Sequence, residues 1–506
     1  MRASNGAPRP LQTGCRIGAL ALCILLAACV SNPRQELQTA AVVTSEQTNA
    51  SPKQRQMGRM IAGIGQAATL GARSWYIDPI LRPASTLSAY YALIGKSALG
   101  FARRVAIDAV QIRALERQPI PPLTQRAFMD SAAWEAHLDR TIGGLKSFGS
   151  VDFLVDGEEF FTRFNQAVEH AESTIDIRTY IFDSDDYGVF IADRLKDRSS
   201  EVGVRVLLDG LGELFATQSD PATMPPDFRP PRSMPSYLRR GSKIKVRTRT
   251  NPWMTGDHTK TTIIDREVAF VGGMNIGREY RYDWHDMMME VRGPVVDVIQ
   301  REFDATWAQS GPLGDIALLA RFLLKRREAS NAEGVPLRLL FTRDFNSQIY
   351  RAQLAAIRRA QSRVYIQNAY MSDDLVVYEL AKARRRGVDV RVIIAEHADD
   401  ATMNLSNAST INVLLGAGVR VYRYPGMTHL KAAVYDGWAC MGSGNFDKMS
   451  LQVNEELNLG TSDPDTVRRL VERVFAPDFE RSQELVEPLP LTWTHRVAEL
   501  VADEFL

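Results

Sequence analysis

One constellation of polar residues occurs twice in this chain, and it limits the possible folds more than any other feature. The first copy reads His258-Thr259-Lys260-Thr261-Thr262-Ile263-Ile264-Asp265, followed by Gly272-Gly273-Met274-Asn275. The second reads His429-Leu430-Lys431-Ala432-Ala433-Val434-Tyr435-Asp436, followed by Gly442-Ser443-Gly444-Asn445. The 506 residues include seven histidines, and two of these share the whole frame. Self-similarity on this scale marks a duplicated architecture.

The repeat extends upstream. Apolar periodicity predicts a helix over Phe160–Ala171, a strand over Ile175–Ile181, a helix over Val189–Asp197 and a buried strand over Val204–Asp209. The second half repeats the order with a helix over Ile349–Ala360, a strand over Val364–Tyr370, a helix over Leu375–Arg385 and a strand over Val388–Ala395. Gly241 with Ile244 and Val246, and Gly416 with Val419 and Val421, begin a further short strand in each half. The expected fold class is α/β, with two similar lobes that are each a mixed sheet flanked by helices, preceded by a helical region. The first copy also holds a proline-rich insertion, Gln218 to Tyr237, expected as a surface loop near the site.

In an extended strand, positions two apart share a face, so His258 lies beside Lys260 and His429 beside Lys431. An imidazole, an ammonium and an amide returned by a Gly-rich turn suit a phosphodiester. Lysine and asparagine can hold the nonbridging oxygens, and imidazole can attack phosphorus or protonate a leaving oxygen. Two copies facing one another would set one histidine on each side of the phosphorus.

With these residues quoted, the chain resembles the phospholipase D superfamily over roughly Val151 to Phe475. The resemblance implies a bilobal sheet structure, a covalent phosphohistidine intermediate and no metal or other cofactor. It implies His258 as nucleophile and His429 as the acid and then the base, with the reverse order left open. Lys260, Lys431, Asn275 and Asn445 would bind the phosphoryl oxygens. Asp265 and Asp436 complete the catalytic motif, although in the family they look structural. Trp284-His285-Asp286 and Asn454-Glu455-Glu456 match the family's flanking pattern, which implies that Asp286 and Glu456 orient the histidines. Where the family often has Arg-Ser, this chain has Met449-Ser450. His137, His170, His397 and His495 lack a partner motif and read as surface or packing residues.

The N-terminus bears on compartment. Arg2, Arg9 and Arg16 precede an apolar run, Ile17–Ala28, that is too short to span a bilayer core needing ~20 residues. A basic leader with a short apolar stretch reads as a secretory signal peptide. Leu26-Ala27-Ala28-Cys29 resembles a bacterial lipobox, which implies lipidation at Cys29 and an exported, membrane-anchored protein, periplasmic or on the cell surface. Of the four cysteines only Cys440 would stay free, so neither an internal disulfide nor a cysteine zinc site is expected. Removing Arg2, Arg9 and Arg16 leaves 58 of the 61 basic residues against 60 acids, without the excess of a polynucleotide binder.

The expected organisation is a signal peptide (1–28), a tether (29–53), a helical region (54–148), lobe 1 (149–312), a connector (313–335), lobe 2 (336–484) and a C-terminal amphipathic helix (485–506). The predicted function is a phosphatidyltransferase or phospholipase D resembling the cardiolipin synthases. It would act on phosphatidylglycerol or a similar phospholipid, with an alcohol or water as acceptor. Two other classes remain open: a secreted endonuclease with the same residues, and a lipoprotein that binds phospholipid without turnover.

Overall fold

The computed structural model describes residues 65, 67–95, 112–216, 223–251, 255–317, 333–343, 345–493 and 495. The expected signal peptide, the tether, Cys29, most of the connector and most of the C-terminal helix lie outside them.

Lobe 1 runs β1 (Leu145–Val155), α1 (Asp156–Glu169), β2 (Thr174–Thr179), α2 (Asp186–Arg198), β3 (Gly203–Asp209), β4 (Lys245–Arg249), β5 (Thr261–Ile264), β6 (Val268–Gly272), β7 (Met287–Arg292) and α3 (Pro294–Gln309). Lobe 2 runs β8 (Val335–Arg343), the two-residue β9 (Asn346–Ser347), α4 (Gln348–Arg359), β10 (Arg363–Asn368), α5 (Asp374–Arg385), β11 (Asp389–Ala395), α6 (Ala401–Gly416), β12 (Arg420–Tyr424), β13 (Ala432–Tyr435), β14 (Trp438–Gly442), β15 (Glu456–Thr461), α7 (Pro464–Leu470) and β16 (Gln483–Leu485). The expected helices and strands of both copies are present, with ends shifted by a few residues. Equivalent caps start equivalent helices. The Asp185 carboxylate accepts from Gly188 N at α2, and that of Asp373 accepts from Val376 N at α5.

Both lobes have one strand order: β1-β7-β6-β5-β2-β3-β4 and β8-β15-β14-β13-β10-β11-β12, with β16 added outside β12. In each, the three strands of the strand–helix–strand units are parallel, and the motif hairpin joins them antiparallel. The sequence did not reveal how the lobes join. β1 is long enough to pair twice: Ser150–Val155 bond to β7, and Leu145–Gly149 bond antiparallel to β8. The two sheets therefore form one continuous ladder. Gly334 sits at this seam with φ +97°, where a Cβ would lie 2.5 Å from the Gly149 carbonyl carbon.

Cores match this arrangement. Outer clusters fill each lobe beneath its helices, around Phe161 and Ile177 in lobe 1 and around Ile366 and Leu380 in lobe 2. A third cluster joins the lobes, with Val151, Ala269 and Val271 packed with Leu339, Ala439, Met441 and Leu459. The described residues from 74 onward make one compact unit. The proline-rich insertion is more than a loop: its end forms a short helix, Met234–Arg239, whose Met234 and Leu238 are buried in the lobe 1 core.

Candidate active site

Regular strand begins at Thr261 and Ala432, so His258, Lys260, His429 and Lys431 precede the motif strands on extended chain. Backbone crossings between lobes hold them there. His258 N donates to Glu455 O at 2.9 Å, and Glu455 N donates to Gly256 O at 2.9 Å. The twofold-related pair is His429 N to His285 O at 2.7 Å and His285 N to Met427 O at 3.1 Å. Each histidine is thus stitched to the other lobe.

The crossing fixes the imidazoles. His258 Nδ1 lies 2.8 Å from Glu456 Oε1, and His429 Nδ1 lies 2.7 Å from Asp286 Oδ2. A proton on each Nδ1 donates to the carboxylate and leaves Nε2 with its lone pair. Both orienting carboxylates belong to the opposite lobe, a fact that spacing within one repeat could not supply. They are themselves held: Ser443 Oγ donates to Glu456 Oε2, and Met287 N donates to Asp286 Oδ1 at 2.7 Å. Gly273, the counterpart of Ser443, has no room for a side chain, because its Cβ would lie 2.4 Å from Asp286 Oδ1.

The lysines are buried, and each Nζ donates back to the carbonyl of its own motif histidine. Burial pushes Lys260 down to about 7 and Lys431 down to about 8, and Lys431 lowers Lys260 further. Loss of water outweighs the attraction of Glu456 and Asp286. His258 is lowered by burial, and His429 falls well below its ordinary value through burial and then Lys431. The charge of His258 also bears on His429. Burial lifts Asp286 to about 7, against the pull of Lys431. The two histidines, two lysines and two carboxylates form one desolvated cluster in which each charge bears on its neighbours.

The asparagines differ. Asn275 is largely committed: its carbonyl accepts from Ile181 N at 3.1 Å and Thr179 Oγ1 at 3.3 Å, and its amide donates to Tyr280 Oη at 2.7 Å. Asn445 Oδ1 is buried without a hydrogen-bond partner. Asp265 and Asp436 need correction as members of a catalytic set. They lie at the far end of the motif strands and receive backbone N–H groups, from Glu172, Ser173 and Thr174 in one case and Met129, Gln361, Ser362 and Arg363 in the other. Each anchors its motif strand to the start of the neighbouring β2 or β10, and neither reaches the imidazoles.

Several lining residues escaped sequence reasoning. The Tyr180 ring meets His258 edge-on at 4.9 Å with Lys260 Nζ 5.2 Å above it, and Tyr280 and Trp284 flank His429 at 5.6 and 5.4 Å. The pairing registers match Tyr180 with Ala369 and Tyr370 with Ile181, so the repeat itself did not mark Tyr180. Behind His258, Arg178 binds Asp257 at 2.6 Å and Glu455 at 2.9 Å, while Arg249 also binds Glu455. Behind His429 stands His285, held by Asp156 at 2.6 Å and Asp478 at 2.8 Å and raised to about 9 by those bonds against burial. Further carboxylates stand nearby, and against burial the charge of Asp399 raises His429. Glu279 is raised to about 7 by burial and then Asp399, and Tyr370 donates to Asp399.

Residues 164–307 and 354–478 match the family described as "Cardiolipin synthase, PLD-like domain". The chain is 30% identical over 349 residues to cardiolipin synthase 2 of Bacillus anthracis, covering 66% of this chain and 65% of that protein. It is 29% identical over 387 residues to cardiolipin synthase B of Salmonella typhi, covering 72% of this chain and 89% of that protein. The fold resembles phosphatidylserine synthase of Haemophilus influenzae, with a TM-score of 0.56, 14% identity, 74% of this chain and 100% of that chain.

Proposed function

The chain belongs to the family of cardiolipin synthase PLD-like domains, and from that premise we propose a phosphatidyltransferase that acts on membrane phospholipids through a phosphohistidine. The observation that carries this reading is the crossed pairing of His258 with Glu456 and His429 with Asp286 around two buried lysines. A phosphodiester carries one negative charge, which suits a desolvated pair of ammonium groups.

In the proposed cycle, Nε2 of one histidine attacks phosphorus while the bond from phosphorus to the headgroup oxygen breaks. The other imidazolium supplies the proton that leaves with the headgroup alcohol. An acceptor hydroxyl then gives its proton to that imidazole and attacks phosphorus, breaking the P–N bond and restoring the first histidine. The family resemblance makes His258 the nucleophile. The electrostatics of the site favour the reverse order, because His429 is the harder of the two to protonate. Lys260 and Lys431 neutralise the phosphoryl oxygens, and Asp286 and Glu456 keep each Nε2 aimed. Phosphatidylglycerol is the proposed donor, and export with a lipid on Cys29 is the proposed location.

The near balance of 58 basic and 60 acidic residues left after the leader favours this reading over a nuclease, which needs an excess of basic residues for a polyanion. Purified protein with labelled phosphatidylglycerol in EDTA tests it. Cardiolipin with released glycerol is the expected product, and phosphatidic acid would mean that water is the acceptor. DNA nicking without lipid turnover would favour the nuclease, and His258→Ala and His429→Ala should each abolish turnover with the fold intact.

A further inference from the structure

A segment ahead of the lobes is amphipathic in the reverse sense. Residues 74–94 hold two fixed charges, Asp78 and Arg82, and these are only 1% and 3% exposed. They lie on an inward stripe with Ser74, Ser85 and Ser88, spaced by three or four residues as one helical face requires. Ser74 Oγ donates to Asn251 O at 2.7 Å, Thr250 Oγ1 to Asp78 Oδ1 at 3.1 Å, and Arg82 Nη1 to Asn251 Oδ1 at 3.1 Å. Further along, Ser85 Oγ donates to Asp315 Oδ1 at 3.2 Å, and Phe345 N donates to Ser88 Oγ at 2.8 Å. Polar groups face the protein throughout.

The outward face is apolar. Tyr76 is 70% exposed, Ile80 80% and Leu87 63%, and Trp75, Tyr90 and Ile94 are each near half. Ile316 and Phe345, also exposed, adjoin it through the contacts of Leu81 with Asp315 and of Ser88 with Phe345. A water-facing helix packs its apolar side inward. Outward apolar area on the order of several hundred Å² marks an interaction surface.

We propose that this face lies in the headgroup–acyl boundary of a phospholipid bilayer. Tryptophan and tyrosine beside isoleucine and leucine are the side chains that boundary favours. A protein interface surrounds its apolar centre with a charged or polar rim, whereas here both fixed charges of the segment point away from the surface. No helix among the described residues is long and apolar enough to span a membrane, and Pro79 and Pro83 interrupt this segment, so it lies along the surface. The proposal goes beyond the transfer reading and stands without it.

The test uses vesicles of phosphatidylethanolamine and phosphatidylglycerol with the full chain, its Cys15, Cys23 and Cys29 replaced by serine. An environment-sensitive fluorophore is placed at Ile80→Cys or, as control, at Arg468→Cys on α7. Vesicles should blue-shift the first label, and brominated acyl chains should quench it and leave the second unchanged. A triple variant, Tyr76→Ser with Ile80→Ser and Leu87→Ser, should lose at least about tenfold in vesicle partition. Its turnover of a dispersed short-chain phospholipid should stay at the parent level, and loss of that turnover in the parent would fail the transfer reading alone. Equal quenching at both labels, no quenching on bound protein, or burial of the Ile80 label by a second copy without vesicles would overturn the proposal.

Discussion

At the scale of single residues, burial dominates charge. Moving Lys260 from 10.5 to about 7 corresponds to roughly 5 kcal/mol against its ammonium form. A phosphodiester anion binds the protonated lysines, so binding is favoured below their pKa values and weakens as pH rises through about 7 and 8. The expected pH profile is therefore a kcat/KM that falls between pH 7 and 9, carried mainly by KM. Lys431→Arg, which cannot lose its charge in that range, should move the alkaline limb upward. Asp436 makes the opposite kind of prediction. Orphaning its four backbone donors costs about 1–3 kcal/mol each before relaxation, comparable in sum with the about 5–15 kcal/mol that hold a domain. Asp436→Ala should lower Tm sharply, while Asp265→Ala, at a more exposed site, should fold and keep most of its kcat.

At the scale of elements, the sequence made one half of the design readable. The periodicities around Ile175 and Val364 reported strands, and the matched His-x-Lys spacing reported the motif chains, because both signals are local. The crossings of 256–258 with 454–456 and of 427–429 with 284–286 depend on lobe contact, which no single repeat encodes. For the same reason the Arg178–Glu455 contact went unseen, whereas Tyr180 meets His258 of its own lobe only once β2 lies beside the motif chain, and Asp265 shares a motif with groups it does not touch. His285 shows what the crossing adds. Its imidazolium, clamped between Asp156 and Asp478, has a pKa raised to about 9, so its stabilisation is full below pH about 6.5 and is lost as pH rises through about 9. Thermal unfolding should show Tm falling over that interval, and His285→Gln should flatten the slope.

At the scale of the molecule, the seam between β1 and β8 and the shared apolar core make the lobes one body, with a single site on their pseudo-twofold axis. A lobe on its own lacks the carboxylate that orients its histidine. Glu456→Gln and Asp286→Asn should therefore each depress kcat by about 10²–10⁴-fold, although each alters the lobe opposite the affected imidazole. Nuclear magnetic resonance of the imidazole nitrogens would read that effect directly, as loss of the Nδ1–H tautomer at His258 in the first variant and at His429 in the second.

The most direct measurement is the stoichiometry of the covalent intermediate. Rapid quench of the enzyme with phosphatidylglycerol labelled at phosphorus, followed by peptide mapping, counts phosphohistidine per chain. One site shared by both lobes predicts at most one label, on either His258 or His429 and absent when that residue is asparagine. Two labels per chain, or a label on any other residue, would contradict it.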